Sequence, residues 1–367
     1  MESDKVRLDR SALENFCQQV FESLSVPKEE AEIAADVLVA ADARGIPSHG
    51  VARLFRYVHA IETGLVELDA EPEIVRETAS SLLVDAHGAM GAPVSANTMT
   101  TIIAKARATG SAFGTVREST HFGIAGYYAM MALDEGMLGL AMTNTAALGV
   151  PTFGREPMFG TNPIAFAAPA GDEPAFVLDM ATTVVTRGKI EVYDRQGREL
   201  PEGWAVDEKG RSATDPEQIL HNLLHQVGGG ILPLGGLGEL LGGHKGYGLS
   251  VMVDVLCGVL SGSAFGAHIA DEPGSHARVS HFFGAIQVEA FRDADEFGRD
   301  MDRMLRELRN TPPAEGRERV YYAGLKEYEH ELECAERGIP LMQKVYDQLV
   351  EIGEERCVAP PPLLVRG

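Results

Sequence analysis

The sequence is poor in several features at once, and each absence narrows what the protein can be. Four cysteines (Cys17, Cys257, Cys334, Cys357) are scattered over 367 residues with no C-x-x-C pair. That excludes a disulfide scaffold or a cysteine zinc knuckle, and it leads us to expect reduced thiols in a cytoplasmic protein. No stretch approaches the roughly 18 unbroken apolar residues of a membrane helix. The most apolar one, 249–260, is short and interrupted by Asp254. The first ten residues, MESDKVRLDR, hold no apolar signal core. Positive charge is scarce: 32 Lys plus Arg face 54 Asp plus Glu, a net charge of −22, and only 8 of those cations are Lys. Phosphate backbones and anionic bilayers repel such a chain, so neither nucleic acid nor membrane is expected as a partner.

The usual nucleotide and metal signatures are missing as well. Forty glycines invite a search for a phosphate loop. Yet no G-x-G-x-x-G follows a strand, and no G-x-x-x-x-G-K precedes Ser or Thr. The stretch from Gly236 through Gly238 to Gly242 has the wrong spacing. H-E-x-x-H is absent, and the His221/His225 pair has no carboxylate companion, so no metal is expected.

What is present is an ordinary folded chain, 45% hydrophobic and 23% charged, long enough for two or three domains. Residues 11–64 read as helices. Ser11 and Glu14 form a capping box, Pro27 with Glu29 and Glu30 opens a second helix ending at Gly45, and a third runs from near Gly50 to Gly64. Beyond residue 75, β-like runs (81–86, 112–117, 138–143, 164–168, 176–179, 282–290) alternate with helical ones (94–109, 123–135). Residues 245–260 read as a buried helix, 197–217 as turns around the single Trp204, and 295–309 and 341–352 as helices again. The expected architecture is α/β. A helical segment (1–75) precedes an α/β segment (76–292), and C-terminal helices (293–367) pack back on the first part.

Four constellations carry chemistry. In Ser48-His49-Gly50-Val-Ala-Arg53, with Tyr57 beyond, the spacing i, i+4, i+8 makes a polar stripe if a helix starts near His49. An imidazole can trade the proton of a carbonyl/alcohol pair at neutral pH, and a guanidinium one turn away can hold a carboxylate. The plain alternative is a Ser helix cap with solvated His and Arg. Second, Arg117-Glu-Ser-Thr-His121 sets a histidine at a strand exit, where catalytic groups or simple helix starts both occur. Third, Gly160-Thr161-Asn162-Pro163 marks a tight turn whose amides can face a ligand, and Asp179 closes an apolar run as a buried carboxylate or a helix cap. Fourth, Gly242-Gly-His244-Lys245-Gly-Tyr-Gly248 brings a lysine to the start of an apolar helix, suited to phosphate or carboxylate, or else to solvent.

Together with Ala41–Arg44, 121–128, 159–163, 178–182, Arg187-Gly-Lys189, 204–207 and 242–248, these motifs resemble the second, non-Rossmann type of malate/L-lactate dehydrogenase. Its relatives include sulfolactate, ureidoglycolate and diketogulonate dehydrogenases. The match runs in order along nearly the whole chain. The resemblance implies a cofactor domain with a mixed or antiparallel sheet and helices, joined to a helical domain built from both termini. It implies a homodimer that moves a hydride between nicotinamide (NAD, with NADP as the alternative) and a small 2-hydroxy or 2-oxo acid. Malate/oxaloacetate comes first, then lactate, sulfolactate or ureidoglycolate. His49, assisted by Ser48, and His121 match proton-transfer positions, and Arg53 and Tyr57 match substrate contacts. Arg117 is the candidate cation for a second carboxylate. Asn144, Thr145, Asp179, Met180, Ala181, His244, Lys245 and Gly324 match cofactor-lining positions, and the turn at Gly160, Thr161 and Asn162 joins them. Arg187 is a candidate partner of a 2′-phosphate. Glu118 departs from the family pattern, which places an added carboxylate beside His121. Two rival classes remain at this level: a non-catalytic relative, and a hydrolase using Ser48 and His49.

Overall fold

The computed structural model describes residues 5–269 and 278–364. In chain order the described elements begin with β1 (Lys5–Leu8), α1 (Arg10–Ser23), α2 (Lys28–Ala43) and α3 (Leu54–Glu62). There follow β2 (Glu73–Glu77), β3 (Ser81–Asp85), α4 (Gly91–Thr109), β4 (Ser111–Ser119), α5 (Ala125–Met131), β5 (Met137–Thr143), β6 (Ile164–Ala168) and β7 (Phe176–Met180). Then come α6 (Arg187–Arg195), β8 (Ala205–Val206), β9 (Ser212–Ala213), α7 (Pro216–His225), β10 (Gly230–Ile231) and α8 (Gly243–Asp254). The chain closes with β11 (Val279–Gln287), α9 (Ala294–Arg309), α10 (Leu325–Arg337), β12 (Ile339–Met342) and α11 (Gln343–Arg356).

Seven strands form one sheet in the order β2-β3-β4-β11-β5-β6-β7. Only β3 and β4 run parallel, joined by α4 as crossover helix. The other pairs are antiparallel. This is the mixed sheet expected, without the parallel doubly wound order of a dinucleotide fold. β11 arrives late in the chain yet lies at the centre of the sheet, buried from Val279 to Ala285. Its burial without alternation suits a strand covered on both faces.

A single hydrophobic core crosses the sheet and the terminal helices. It includes Leu13 and Phe16 of α1, Leu38 of α2, Met99 and Ile102 of α4, Tyr128 of α5, Phe283 of β11 and Ile352 of α11. β1 and β12 pair antiparallel, so the two ends of the chain are stitched together. A satellite core (Ile190, Leu200, Ile219, Ile231) holds α6, α7 and the small sheet β10-β8-β9, with Trp204 edge-on to Tyr193.

Local signals explain most boundaries, and some expectations are corrected. Asp9, not Ser11, caps α1: its extended backbone lets the carboxylate accept from Ala12 N at 3.0 Å. The segment after residue 292 does not return as a unit to the N-terminal helices. Met301 and Leu305 of α9 pack on Phe166, Ala168 and Phe176 of the sheet, so only α10, β12 and α11 close over the first helices. The helix expected at 245–260 ends as α8 at Asp254 and continues as a π turn, Val255–Val259. It is not buried all round. Val251, Met252, Val255, Val259 and Leu260 are exposed, because the sheet covers only the side carrying Val253 and Cys257. The strand expected at 282–290 ends at Gln287 and turns into a 3-10 turn, Val288–Ala290.

Phe283 is fully buried at the crossing of sheet and helices. Phe283→Ala is expected to cost about 3–5 kcal/mol of unfolding free energy, read as a lower denaturant midpoint.

Candidate active site

The centre of the site is made by two segments far apart in the chain. The first follows α2. The Asp42 carboxylate, buried at the end of that helix, accepts from Val51 N at 2.7 Å. A Cβ on Gly50 would stand 2.2 Å from the same carboxylate, so only glycine fits there. This clamp shapes a tight turn in which His49 N bonds Ile46 O at 3.0 Å. A 3-10 turn, Val51–Arg53, then leads into α3. His49 therefore sits on a turn and not on the expected helical stripe. Ser48 Oγ lies 3.0 Å from His49 Nδ1, and Arg53 Nε donates to the Ser48 carbonyl.

The second segment leaves β4. Thr120 Oγ1 accepts from Gly91 N at 2.9 Å, and His121 turns out beyond it. The His121 ring stacks on His49, centroids 5.6 Å apart and 18° from parallel. Tyr57 OH lies 2.7 Å from His121 Nδ1, and Gly123 N donates to the same atom at 3.2 Å. A backbone N–H can only donate. Nδ1 of His121 is therefore the acceptor, and the neutral ring carries its hydrogen on Nε2.

Burial, and secondarily the Arg53 cation, holds His49 down at about 3. Burial with Arg53 and His49 pushes His121 well below the usual histidine range. Both rings are neutral at pH 7. The Arg53 guanidinium is half-buried, and burial lowers its pKa. Among the described residues no carboxylate forms an ion pair with it. A half-buried cation held in no ion pair by a described carboxylate, with Glu191 only within longer Coulombic range and two neutral imidazoles beside it, is a ready site for a carboxylate.

Other expected residues gather in two clefts. Asp179, at the end of β7, accepts from Gly126 N at 2.8 Å, and burial raises its carboxyl to about 6. It faces a cleft of roughly 280 Å³ lined also by Arg44, Gly324, Lys326 and Glu327. Asp179 and Gly324 thus line the same cleft. Gly324 is obligatory there: its φ is +91°, and a Cβ would approach Val177 N to 2.8 Å. Met180 and Ala181 continue from Asp179, half-buried. A second cleft of roughly 540 Å³ is lined by Gly235, Glu239, Gly242, Lys245 and Gly246. His244 and Lys245 are exposed in the first turn of α8, and among the described residues neither side chain has a hydrogen-bond or ion-pair partner.

Several expected contacts are corrected. The Asn144 and Asn162 side chains are fully buried and spent on framework. Both donate to Asp254, at 3.3 and 2.9 Å. Asn144 Oδ1 accepts from Ser280 N at 2.8 Å, and Asn162 Oδ1 from Thr145 N at 3.2 Å. Gly160 and Thr161 pack on Thr145, whose Oγ1 accepts from Thr161 N at 3.0 Å. Arg117 is bound by Asp85 at 2.8 Å and is not offered to the histidines. Arg187 pairs with Glu191 one turn on, at 3.2 Å. The added carboxylate at Glu118 is taken by Arg278 and by Ser263 Oγ, so it stands neutralised.

Sequence reasoning did not single out Asp42, Arg44, His281 or the framework role of Asp254. Asp254 had a visible signal, a lone carboxylate inside an apolar run. His281 had none, since it lies one residue before the strand expected at 282–290.

The profile described as malate/L-lactate dehydrogenase matches residues 8–350. The malate dehydrogenase of Pyrococcus abyssi (strain GE5 / Orsay) is 46% identical over 352 residues, 96% of this chain and 95% of the relative. The solved malate dehydrogenase of Pyrococcus horikoshii OT3 superposes with a TM-score of 0.88 at 41% identity, covering 97% of each chain. That of Entamoeba histolytica gives 0.93 at 35% identity, covering 98% of this chain and all of the other. Similarity of this extent, along the whole core and through both segments of the site, means that the chain is an enzyme and belongs to the malate/L-lactate dehydrogenase family.

Proposed function

We propose that the protein interconverts malate and oxaloacetate with NAD. The observation that carries this reading is Arg53, a half-buried guanidinium in no ion pair with a described carboxylate, set beside the stacked rings of His49 and His121. The substrate's 1-carboxylate pairs with Arg53.

The two histidines divide the work. Ser48 Oγ can turn to donate to or accept from His49 Nδ1, so His49 tolerates both protonation states. His121 does not, because a second proton on Nδ1 would oppose the Gly123 N–H. His49 therefore exchanges the proton of the 2-hydroxyl, and His121 offers Nε2–H to the same oxygen. A bound carboxylate also screens Arg53, which relieves its push on His49 and favours the protonated ring needed for reduction.

A nicotinamide cofactor of a dehydrogenase supplies or accepts the hydride. The residues present fit one. Lys245 and the first turn of α8 suit the negative pyrophosphate. Asp179, with Gly126 using one of its acceptor sites, keeps others for ribose or amide hydrogens. With Glu191 on Arg187, the carboxylate there opposes a 2′-phosphate, which supports NAD over NADP.

The second carboxylate of malate needs another cation. With Arg117 held by Asp85, Arg56 is the one that remains. It follows Arg53 by three residues, is exposed, makes no ion pair among the described residues, and lies within Coulombic reach of both Arg53 and His121. The exposed apolar stripe of α8 and its π turn supports a homodimer through that face. No described helix is long and apolar enough to cross a membrane. The free, buried thiols of Cys17, Cys257 and Cys334 fit a reducing cytoplasm.

NADH absorbance with oxaloacetate tests the roles. His49→Ala should lower kcat/KM by about 10²–10⁴, and His121→Ala by about 10–100. If neither variant loses activity, the reading fails. Arg56→Ala should raise KM for oxaloacetate about tenfold or more and leave pyruvate unaffected; an equal loss on both would deny Arg56 the second carboxylate. Sedimentation should show Val255→Asp as a monomer at concentrations where the parent is a dimer.

A further inference from the structure

His281 takes no part in the proton transfer, yet its surroundings tie it to the reacting centre. It lies inside β11, between Val116 of β4 and Thr143 of β5, and is completely buried. A polar ring in such a core destabilises the fold unless its nitrogens are satisfied. Both are: Nδ1 lies 2.8 Å from Thr143 Oγ1 and Nε2 lies 3.0 Å from Ser119 Oγ. These two contacts from different strands fix the plane of the ring.

The face of that ring carries the loop of the active site. Phe122 stacks on it with centroids 4.4 Å apart and planes within 5°. Phe122 also stacks on Tyr128 at 4.8 Å, and the Tyr128 hydroxyl donates to the Phe122 carbonyl. Phe122 is thus stacked against two rings at once. Every residue around His121 is thus pinned: Ser119 by His281, Thr120 by Gly91 N and the Ala89 carbonyl, Phe122 by the stack. His121 alone turns outward, to Tyr57 and His49.

We propose that His281 is a positioning residue: held in plane by Thr143 and Ser119, its ring clamps Phe122 and thereby sets where His121 presents Nε2 to the substrate. This rests on the reading of His121 as part of the reacting centre. Burial keeps the His281 ring neutral, with its pKa held down at about 3, so it aligns the neighbouring imidazole without adding a charge beside it. A small displacement suffices for a large effect, because a misplacement of about 1 Å can reduce turnover on the order of 10²-fold.

Five variants test it: His281→Ala, His281→Phe, Phe122→Leu, His121→Ala, and His281→Ala combined with His121→Ala. Each is assayed for kcat and for KM of NADH with oxaloacetate, alongside its melting temperature. His281→Ala should lower kcat about tenfold or more with KM for NADH unchanged. His281→Phe keeps the stack and should recover kcat to within about threefold of the parent, even where it melts lower. In the His121→Ala background, His281→Ala should lower kcat no further, since the residue it serves is gone. A folded His281→Ala enzyme with parental kcat would overturn the proposal, as would a full additional loss in the double variant. Should His281→Ala not fold, Phe122→Leu decides: it breaks the same stack from the other side, and an undiminished kcat overturns the proposal. A His121→Ala enzyme with parental kcat would instead remove the functional reading on which this stands.

Discussion

The hydroxyl of Tyr57 on Nδ1 of His121 is the contact on which the site depends. It joins α3, in the helical N-terminal part, to the loop that leaves β4 of the sheet. Neither segment is a site by itself. The turn at Ser48–Arg53 carries an imidazole and a guanidinium, and the β4 exit carries a second imidazole. Only their meeting brings a cation and two neutral rings to one place. The shared hydrophobic core makes that meeting rigid, because α1 and α2 pack in the same cluster as α4, α5 and β11. Asp42 contributes on one side by clamping the turn through Val51 N, and the ring stack under Phe122 contributes on the other.

Buried polar groups hold the rest of the frame. Asp254 gathers Asn144, Asn162 and Gly266 N around one carboxylate. It thereby links the exit of β5, the turn before β6, and the end of α8. Burial raises its pKa, as expected for a carboxylate whose donors are all neutral. Such a network is stable only when every member is satisfied, which ties the positions of three loops together. The negative surface and the anion site coexist for a related reason. Most described arginines are paired with carboxylates, as in Arg44–Glu331, Arg117–Asp85 and Arg309–Glu173. Arg53 and Arg56 are among those in no ion pair with a described carboxylate, so a chain of net charge −22 can still present positive potential at the candidate site.

By itself the sequence determined the α/β class, the absence of a phosphate-loop fingerprint, and the residues that make up the candidate site. His49, Arg53, His121 and Asp179 are legible because their spacing and local context are short-range, and a motif preserves both. The tertiary structure decided which of these groups are free. Arg117 looked available until Asp85, 32 positions away, took its guanidinium. Asn144 looked like a ligand contact until Ser280, 136 positions away, met its amide. The apolar stretch at α8 read as buried because its composition is uniform, and only packing shows which side the sheet leaves open. Hydrogen-bond partnership and desolvation are properties of the folded neighbourhood. They decide whether a charged side chain is framework or function, and no local pattern in the chain records them.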